Sequence, residues 1–191
     1  MKIGVLSLQG GVIEHLKHIE KLGYEGVQVK EVKDLDRING IILPGGESTT
    51  VGKLLNITGL MNPLRRRIQN GLPTWGTCAG MILLAKELNN DKRRHLSLMN
   101  IKVKRNAFGK QIDSFKTNKI IEKVGSKPLE LVFIRAPYIT EVGESVEILC
   151  KVKDKIVAVR EGNLLATSFH PELTNDTNFL EYFIREFIES K

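Results

Sequence analysis

The first half of the chain alternates between short apolar runs and helix-forming stretches, with glycine or proline at most of the joints. Lys2–Leu8, Val27–Val32, Ile41–Leu43 and Pro73–Trp75 read as strands. A helix is expected over about Val12–Leu22, with Val12, Leu16 and Ile19 on one face and Gly23 as its stop. Others are expected over about Thr49–Leu55, over Pro63–Asn70 with Gly71 as its stop, and over Met81–Leu88. Repeated β-α units of this kind require a mostly parallel sheet covered by helices on both faces, a three-layer α/β fold. The second half changes to short strands, at Ile101–Arg105, Leu131–Ile134, Val146–Val152, Ile156–Arg160 and Leu164–Ser168. Some are separated by tight polar turns, which adds a small antiparallel region. A last helix is expected over about Asp176–Glu189. The 191 residues suit one domain, and no repeat, linker or low-complexity stretch divides them.

In open α/β sheets ligands gather at the carboxyl ends of the strands, so the turns there carry the chemistry. One of them is Gly76-Thr77-Cys78-Ala79-Gly80, the cysteine form of the nucleophile elbow, in which a strand ends in a strained turn that opens directly into a helix. Small neighbours let the backbone pass close to adjacent segments. The sulfur is held near a helix N-terminus, whose partial positive charge favours an anion, and the thiolate is the reactive form. Alone, the motif fits a buried structural cysteine about as well. A second turn, Pro44-Gly45-Gly46-Glu47-Ser48, has a rigid entry followed by two glycines free to take positive φ, and can aim backbone N–H groups at an anion.

Near the C-terminus a strand runs into His170-Pro171-Glu172. Residues two apart on extended backbone project to the same side, so Glu172 is expected to reach the imidazole and hold its tautomer, leaving the other nitrogen for a thiol. His15, His18 and His95 read as surface or packing residues.

Composition narrows the classes. Two cysteines far apart make neither a disulfide framework nor a zinc spacing, and Cys150 reads as a core residue on a face with Val146, Ile148 and Val152. No signal peptide or membrane span is evident, which suggests the cytosol. The net charge of +7 includes Arg65-Arg66-Arg67 and Lys92-Arg93-Arg94, but neither cluster has the aromatic neighbours of a nucleic-acid site. Arg65–Arg67 fits the wet face of a helix begun by Pro63, and an acidic protein partner is the better match for a basic surface.

Together the cysteine elbow, the Pro-Gly-Gly loop and His-x-Glu are the parts of Cys-His-Glu acyl transfer. On Gly4–Gly10, Leu43–Thr50, Gly76–Glu87, Arg105–Phe115, Val132–Pro137 and Ala158–Leu173 the chain resembles the class I (triad) glutamine amidotransferases, whose fold is flavodoxin-like. Within them it is similar to the glutaminase subunits of pyridoxal 5′-phosphate synthase. Arg105-Asn106-Ala107-Phe108-Gly109 and Phe133-Ile134-Arg135-Ala136-Pro137 are the discriminating stretches.

The resemblance implies hydrolysis of L-glutamine to glutamate and ammonia through a γ-glutamyl thioester on Cys78. His170 would act as base and acid, and Glu172 would orient it. The oxyanion would meet the Ala79 N–H and one from Gly45-Gly46. Gly46, Glu47, Ser48, Arg105, Ile134 and Arg135 would hold glutamine. Gln9 and Gly10 would couple catalysis to docking of a separate (β/α)8-barrel synthase that uses the ammonia for pyridoxal 5′-phosphate, with no cofactor or metal on this chain. The charged Asn89–His95 segment departs from the family's usual glycine-rich one. Rival readings are the glutaminase subunit of another amidotransferase, such as imidazole glycerol phosphate synthase, a flavodoxin-like redox or peptidase-type cysteine protein, and a binding module with a vestigial site.

Overall fold

The computed structural model describes residues 1–105 and 114–190. Its first half runs β1 (Lys2–Leu6), α1 (Val12–Lys21), β2 (Glu25–Val29), β3 (Gly40–Leu43), α2 (Ser48–Ile57), α3 (Met61–Gln69), β4 (Thr74–Thr77) and α4 (Ala79–Leu84). The second half supplies β5 (Ala85–Leu88), β6 (Met99–Lys104), β7 (Ser114–Lys119), β8 (Leu129–Ile134) and β9 (Tyr138–Val142). It continues with β10 (Glu147–Val152), β11 (Lys155–Glu161), β12 (Leu164–Thr167) and α5 (Asn178–Phe183), which runs on as π-helix over Ile184–Glu189.

Ten strands form one sheet in the order β2-β1-β3-β4-β12-β11-β9-β6-β5, with β10 on β11. The stretch from β2 to β12 is parallel throughout. Antiparallel pairing begins at β12–β11, and β7 and β8 form a separate two-stranded antiparallel sheet. Side chains alternate between two cores, as a pleated strand requires. Ile42 of β3 packs with Ile19 of α1, Trp75, and Phe179 and Phe183 of α5. Ile41 and Leu43 pack instead with Val51 and Leu55 of α2, Leu64 of α3 and Met81 of α4. Because β1 lies between β2 and β3, the connection through α1 covers one face while α2 and α3 cover the other. The chain therefore leaves β1 and β3 toward opposite faces, which makes their carboxyl ends a topological switch point.

Several sequence expectations need correction. The helix expected over Met81–Leu88 begins at Ala79 and stops at Leu84, where Ala85 turns to φ −58°, ψ 134° and starts β5. All six residues of α4 are buried, so no polar position marks a face, and an apolar run of this kind lacks the periodicity that separates helix from strand. Strands β7 and β9 were not expected at all. Pro63 is the third residue of α3 rather than its first, tolerated there because a first-turn N–H has no intrahelical acceptor. Cys150 is buried, but a bulge sets both Ile148 and Cys150 against consecutive residues of β11, and Ile148 is 38% exposed instead of sharing its face. The arginine cluster is not a wet face. Arg65 donates to the carbonyls of His95 and Leu96, and Arg67 to that of Leu35, so only Arg66 stands fully exposed.

Candidate active site

Strand β4 ends at Thr77 and α4 begins at Ala79, which leaves Cys78 alone at the corner with φ 48° and ψ −100°. An L-residue held there costs about 1–3 kcal/mol and persists only where its surroundings over-determine it. They do so here. The Cys78 N–H donates to the Thr167 carbonyl at 2.7 Å, binding the corner to the end of β12. A Cβ on Gly76 would lie 2.5 Å from the Gly80 carbonyl carbon, and one on Gly80 would lie 2.0 Å from the Leu43 oxygen. Both motif glycines are thus demanded by backbone packed on backbone. The cysteine is 7% exposed.

His170 follows β12, the strand beside β4, and its N–H donates to the Val132 carbonyl of β8 at 2.8 Å. The segment after it is not extended, as the sequence suggested. Pro171–Leu173 makes one 3-10 turn and folds Glu172 back, so that Oε1 stands 2.7 Å from His170 Nδ1. Burial raises the Glu172 pKa, but the hydrogen bond from His170 and the positive charge on that ring hold it below the ordinary value. An ionised carboxylate only accepts, so Nδ1–H donates to it. The imidazole and the Cys78 side chain both border Gly45, where a Cβ would lie 2.8 Å from His170 Nδ1 and 3.5 Å from Cys78 Cβ. Burial works against charge on His170, yet its interactions with Cys78 and Glu172 outweigh it and push its pKa up to about 10.

The Gly45-Gly46 turn closes over this pair, for a reason the sequence did not show. Neither glycine takes positive φ among the backbone positions that do. They are glycines because space is lacking: a Cβ on Gly45 would lie 2.4 Å from His170 Cε1, and one on Gly46 would lie 2.5 Å from Gln9 Oε1. The turn is tied to the β1 turn by Gly11 N–H to the Gly45 carbonyl at 3.0 Å and Glu47 N–H to Gln9 Oε1 at 2.8 Å. Gly10, at φ 112°, completes the clamp, since a Cβ there would meet the Gly45 oxygen at 1.9 Å.

These turns surround a cleft of about 680 Å³, within the usual range for small-ligand sites. Gln9, Gly10, Gly45, Gly46, Glu47, Ser48, Cys78, Ala79, Arg105, Ile134, Arg135 and His170 all line it. Glu172 alone of the expected residues does not, being buried behind His170. Arg105 donates to Ser48 Oγ at 2.8 Å and faces Asp91 at 3.7 Å. Asp91 in turn binds Arg93, which with Arg105 holds its carboxyl at a pKa of about 2. The Glu47 carboxylate is turned away to cap α2, accepting from the Thr50 N–H at 2.6 Å and the Thr49 N–H at 3.2 Å. Asn106, Ala107, Phe108 and Gly109 lie outside the described residues. Sequence reasoning missed His15, which is buried at 1% with Nε2 3.5 Å from Glu172 Oε2. Its (i, i+4) spacing from Ile19, a core residue, was the available signal. Among the described residues, no group of three or more His, Cys, Asp or Glu is placed to hold a metal ion.

The chain belongs to the SNO glutamine amidotransferase family, whose profile matches residues 5–189. A solved structure described as a glutamine amidotransferase superimposes with a TM-score of 0.91 at 43% identity, covering 96% of this chain and 97% of that one. Among curated relatives, pyridoxal 5′-phosphate synthase subunit PdxT of Clostridium beijerinckii is 68% identical over 185 residues, covering 97% of each chain. The protein of the same name from Clostridium botulinum is 55% identical over 192 residues and covers both chains fully.

Proposed function

We propose that this chain is the glutaminase subunit of a pyridoxal 5′-phosphate synthase, a single domain that hydrolyses L-glutamine and passes ammonia to a separate synthase subunit. The observation that carries the reading is that Cys78, on a strained corner, and His170 share the cleft against one glycine turn, with Glu172 Oε1 2.7 Å from His170 Nδ1 behind them. Cys78 Sγ attacks the side-chain amide carbon, and the oxyanion meets N–H groups of Ala79 and the Gly45-Gly46 turn. The raised basicity of His170 favours the imidazolium, which hands its proton to the departing amide nitrogen as the C–N bond breaks. Ammonia leaves and a γ-glutamyl thioester remains. His170 then takes a proton from water, which cleaves the thioester to glutamate and restores the thiolate.

Arg105 and Arg135 offer cations to the substrate α-carboxylate beside Gly46, Ser48 and Ile134. Glu47 contributes through its backbone, its carboxylate being occupied at α2. No cofactor takes part. Exposed Ile134 and Leu173 at the rim, at 40% and 45%, suit a docking partner, and the hold of Gln9 and Gly10 on the Gly45 turn offers a route from docking to catalysis. Two free cysteines accord with the cytoplasm, and no helix among the described residues is long and apolar enough to cross a membrane.

The test measures glutamate release from glutamine with a synthase subunit present, for wild type and Cys78→Ala. Release is expected from wild type and should vanish in the variant. Persistence in Cys78→Ala, or none from wild type with a competent partner, rejects the proposal.

A further inference from the structure

The cysteine–imidazole–carboxylate line accounts for one oxygen of Glu172. Oε1 receives the His170 N–H, but Oε2 is buried and makes no hydrogen bond that meets ordinary geometry. A buried carboxylate oxygen without a donor is costly, and the cost falls on the charge that steadies His170. A polar side chain faces it. His15, in α1, places Nε2 3.5 Å from Glu172 Oε2 and 3.4 Å from Thr77 Oγ1, one residue before Cys78. Both partners are almost wholly buried, with side chains 2% and 1% exposed.

The helix is anchored at two further points to the segment just after the Pro171–Leu173 turn. His18 Nε2 lies 3.0 Å from the Thr174 carbonyl, and Lys21 Nζ donates to the Asn175 carbonyl at 2.8 Å. The His15 ring packs nearly perpendicular to Trp75 of β4, with centroids 5.9 Å apart. Its position is therefore fixed from three sides, by α1, β4 and the Pro171–Leu173 turn.

The geometry points to His15 as a positioning residue: in its Nε2–H form it donates to the second carboxylate oxygen of Glu172 and so holds the base that acts on Cys78. This rests on the glutaminase reading above. A lone pair on Nε2 would confront an anionic oxygen, whereas a proton there can be shared between Oε2 and the Thr77 hydroxyl. The ring must be neutral for the arrangement to act as a donor without adding a buried charge. The groups facing it are Glu172 and His170 from the turn, and Glu14 and His18 from its own helix. Burial dominates them and lowers the His15 pKa to about 4, so it stays uncharged at neutral pH.

The experiment compares wild type, His15→Leu, His15→Gln and Cys78→Ala, each with the synthase subunit, across a pH series. Leucine removes the donor, so Glu172 becomes easier to protonate. The acid limb of kcat should move up by about one pH unit and kcat should fall about tenfold, with KM little changed. Glutamine's side-chain amide carries a donor and should recover most of both. An acid limb that stays put in His15→Leu, or equal losses in the leucine and glutamine variants, overturns the proposal. If the leucine variant does not fold, nitrogen-15 histidine spectra of the wild type decide. A proton on Nε2 alone at pH 7 upholds it, and a proton on Nδ1 alone or on both nitrogens refutes it. Loss of release in Cys78→Ala with no effect at His15 would leave the glutaminase reading intact and remove only this one.

Discussion

Replacing Gly45 with alanine adds one methyl group at the narrowest point of the site. Its ideal position is 2.4 Å from His170 Cε1, 2.8 Å from Nδ1 and 3.5 Å from Cys78 Cβ. An ordinary carbon contact needs 3.4 Å or more, so ring and loop must separate by about 1 Å. The ring resists, since Nδ1 is held by Glu172 at 2.7 Å and the His170 backbone by Val132 at 2.8 Å. The loop resists too, since the Gly45 carbonyl is bonded to Gly11 and Gly46 already abuts Gln9. Whichever yields, the imidazole loses its alignment with the sulfur, and a misplacement of about 1 Å can cost about 100-fold in rate. Overpacking of this kind costs a further 1–3 kcal/mol or so in stability. Gly125→Ala is the control, because a Cβ there meets nothing within 4 Å and φ is not positive. Glutamate release with the synthase subunit, beside urea unfolding midpoints, measures both effects. A Gly45→Ala protein that folds and retains kcat/KM within about threefold of wild type would show that the glycine turn does not pack on His170 in the working enzyme.

Two other outcomes follow from the same geometry. Glycine in place of alanine usually destabilises, but at φ 48° the order should reverse, with Cys78→Gly more stable than Cys78→Ala by about 1 kcal/mol. Denaturant midpoints of the two inactive proteins test this, and an alanine variant as stable or more so rejects a strained corner. His170 has a folded-state pKa raised from 6.5 to about 10, so its charge-linked stability is fully present below pH 6.5 and lost as pH rises through 10. Glu172→Gln removes part of that support, and the stability gap between wild type and Glu172→Gln should narrow over this interval. A gap that stays constant from pH 6 to 10 would mean that Glu172 does not sustain the charge on His170.

What could be read in advance divides along a physical line. Gly76–Gly80 and His170-Pro171-Glu172 stand out because their residues are adjacent in sequence, although the second folds as a 3-10 turn and not as the extended segment expected. His15 could not be read that way, because its role depends on the rotation of α1 about its own axis against a turn near the other end of the chain. Lys86 and Glu87 inside β5 were likewise opaque, since that strand is made by pairing with β6 and not by any pattern of its own. The inward turn of Arg65 and Arg67 depends on carbonyls of distant loops, which a charge count cannot register.

The site itself hangs on a fact between these extremes, the register of β4 with β12. Their parallel pairing sets Thr77 opposite Thr167, so that the Thr167 carbonyl can accept the Cys78 N–H and both chains leave the sheet on the same edge. Successive side chains point to opposite faces, so a slip of β4 by one residue would turn Trp75 out of its aromatic core, away from Leu165. That core includes Phe179, stacked on Trp75 at 5.4 Å, and Phe169, buried immediately before His170. The energy that fixes the register is therefore apolar burial on one face of the sheet. The sulfur and the imidazole are brought together by a hydrophobic choice made several residues upstream of either.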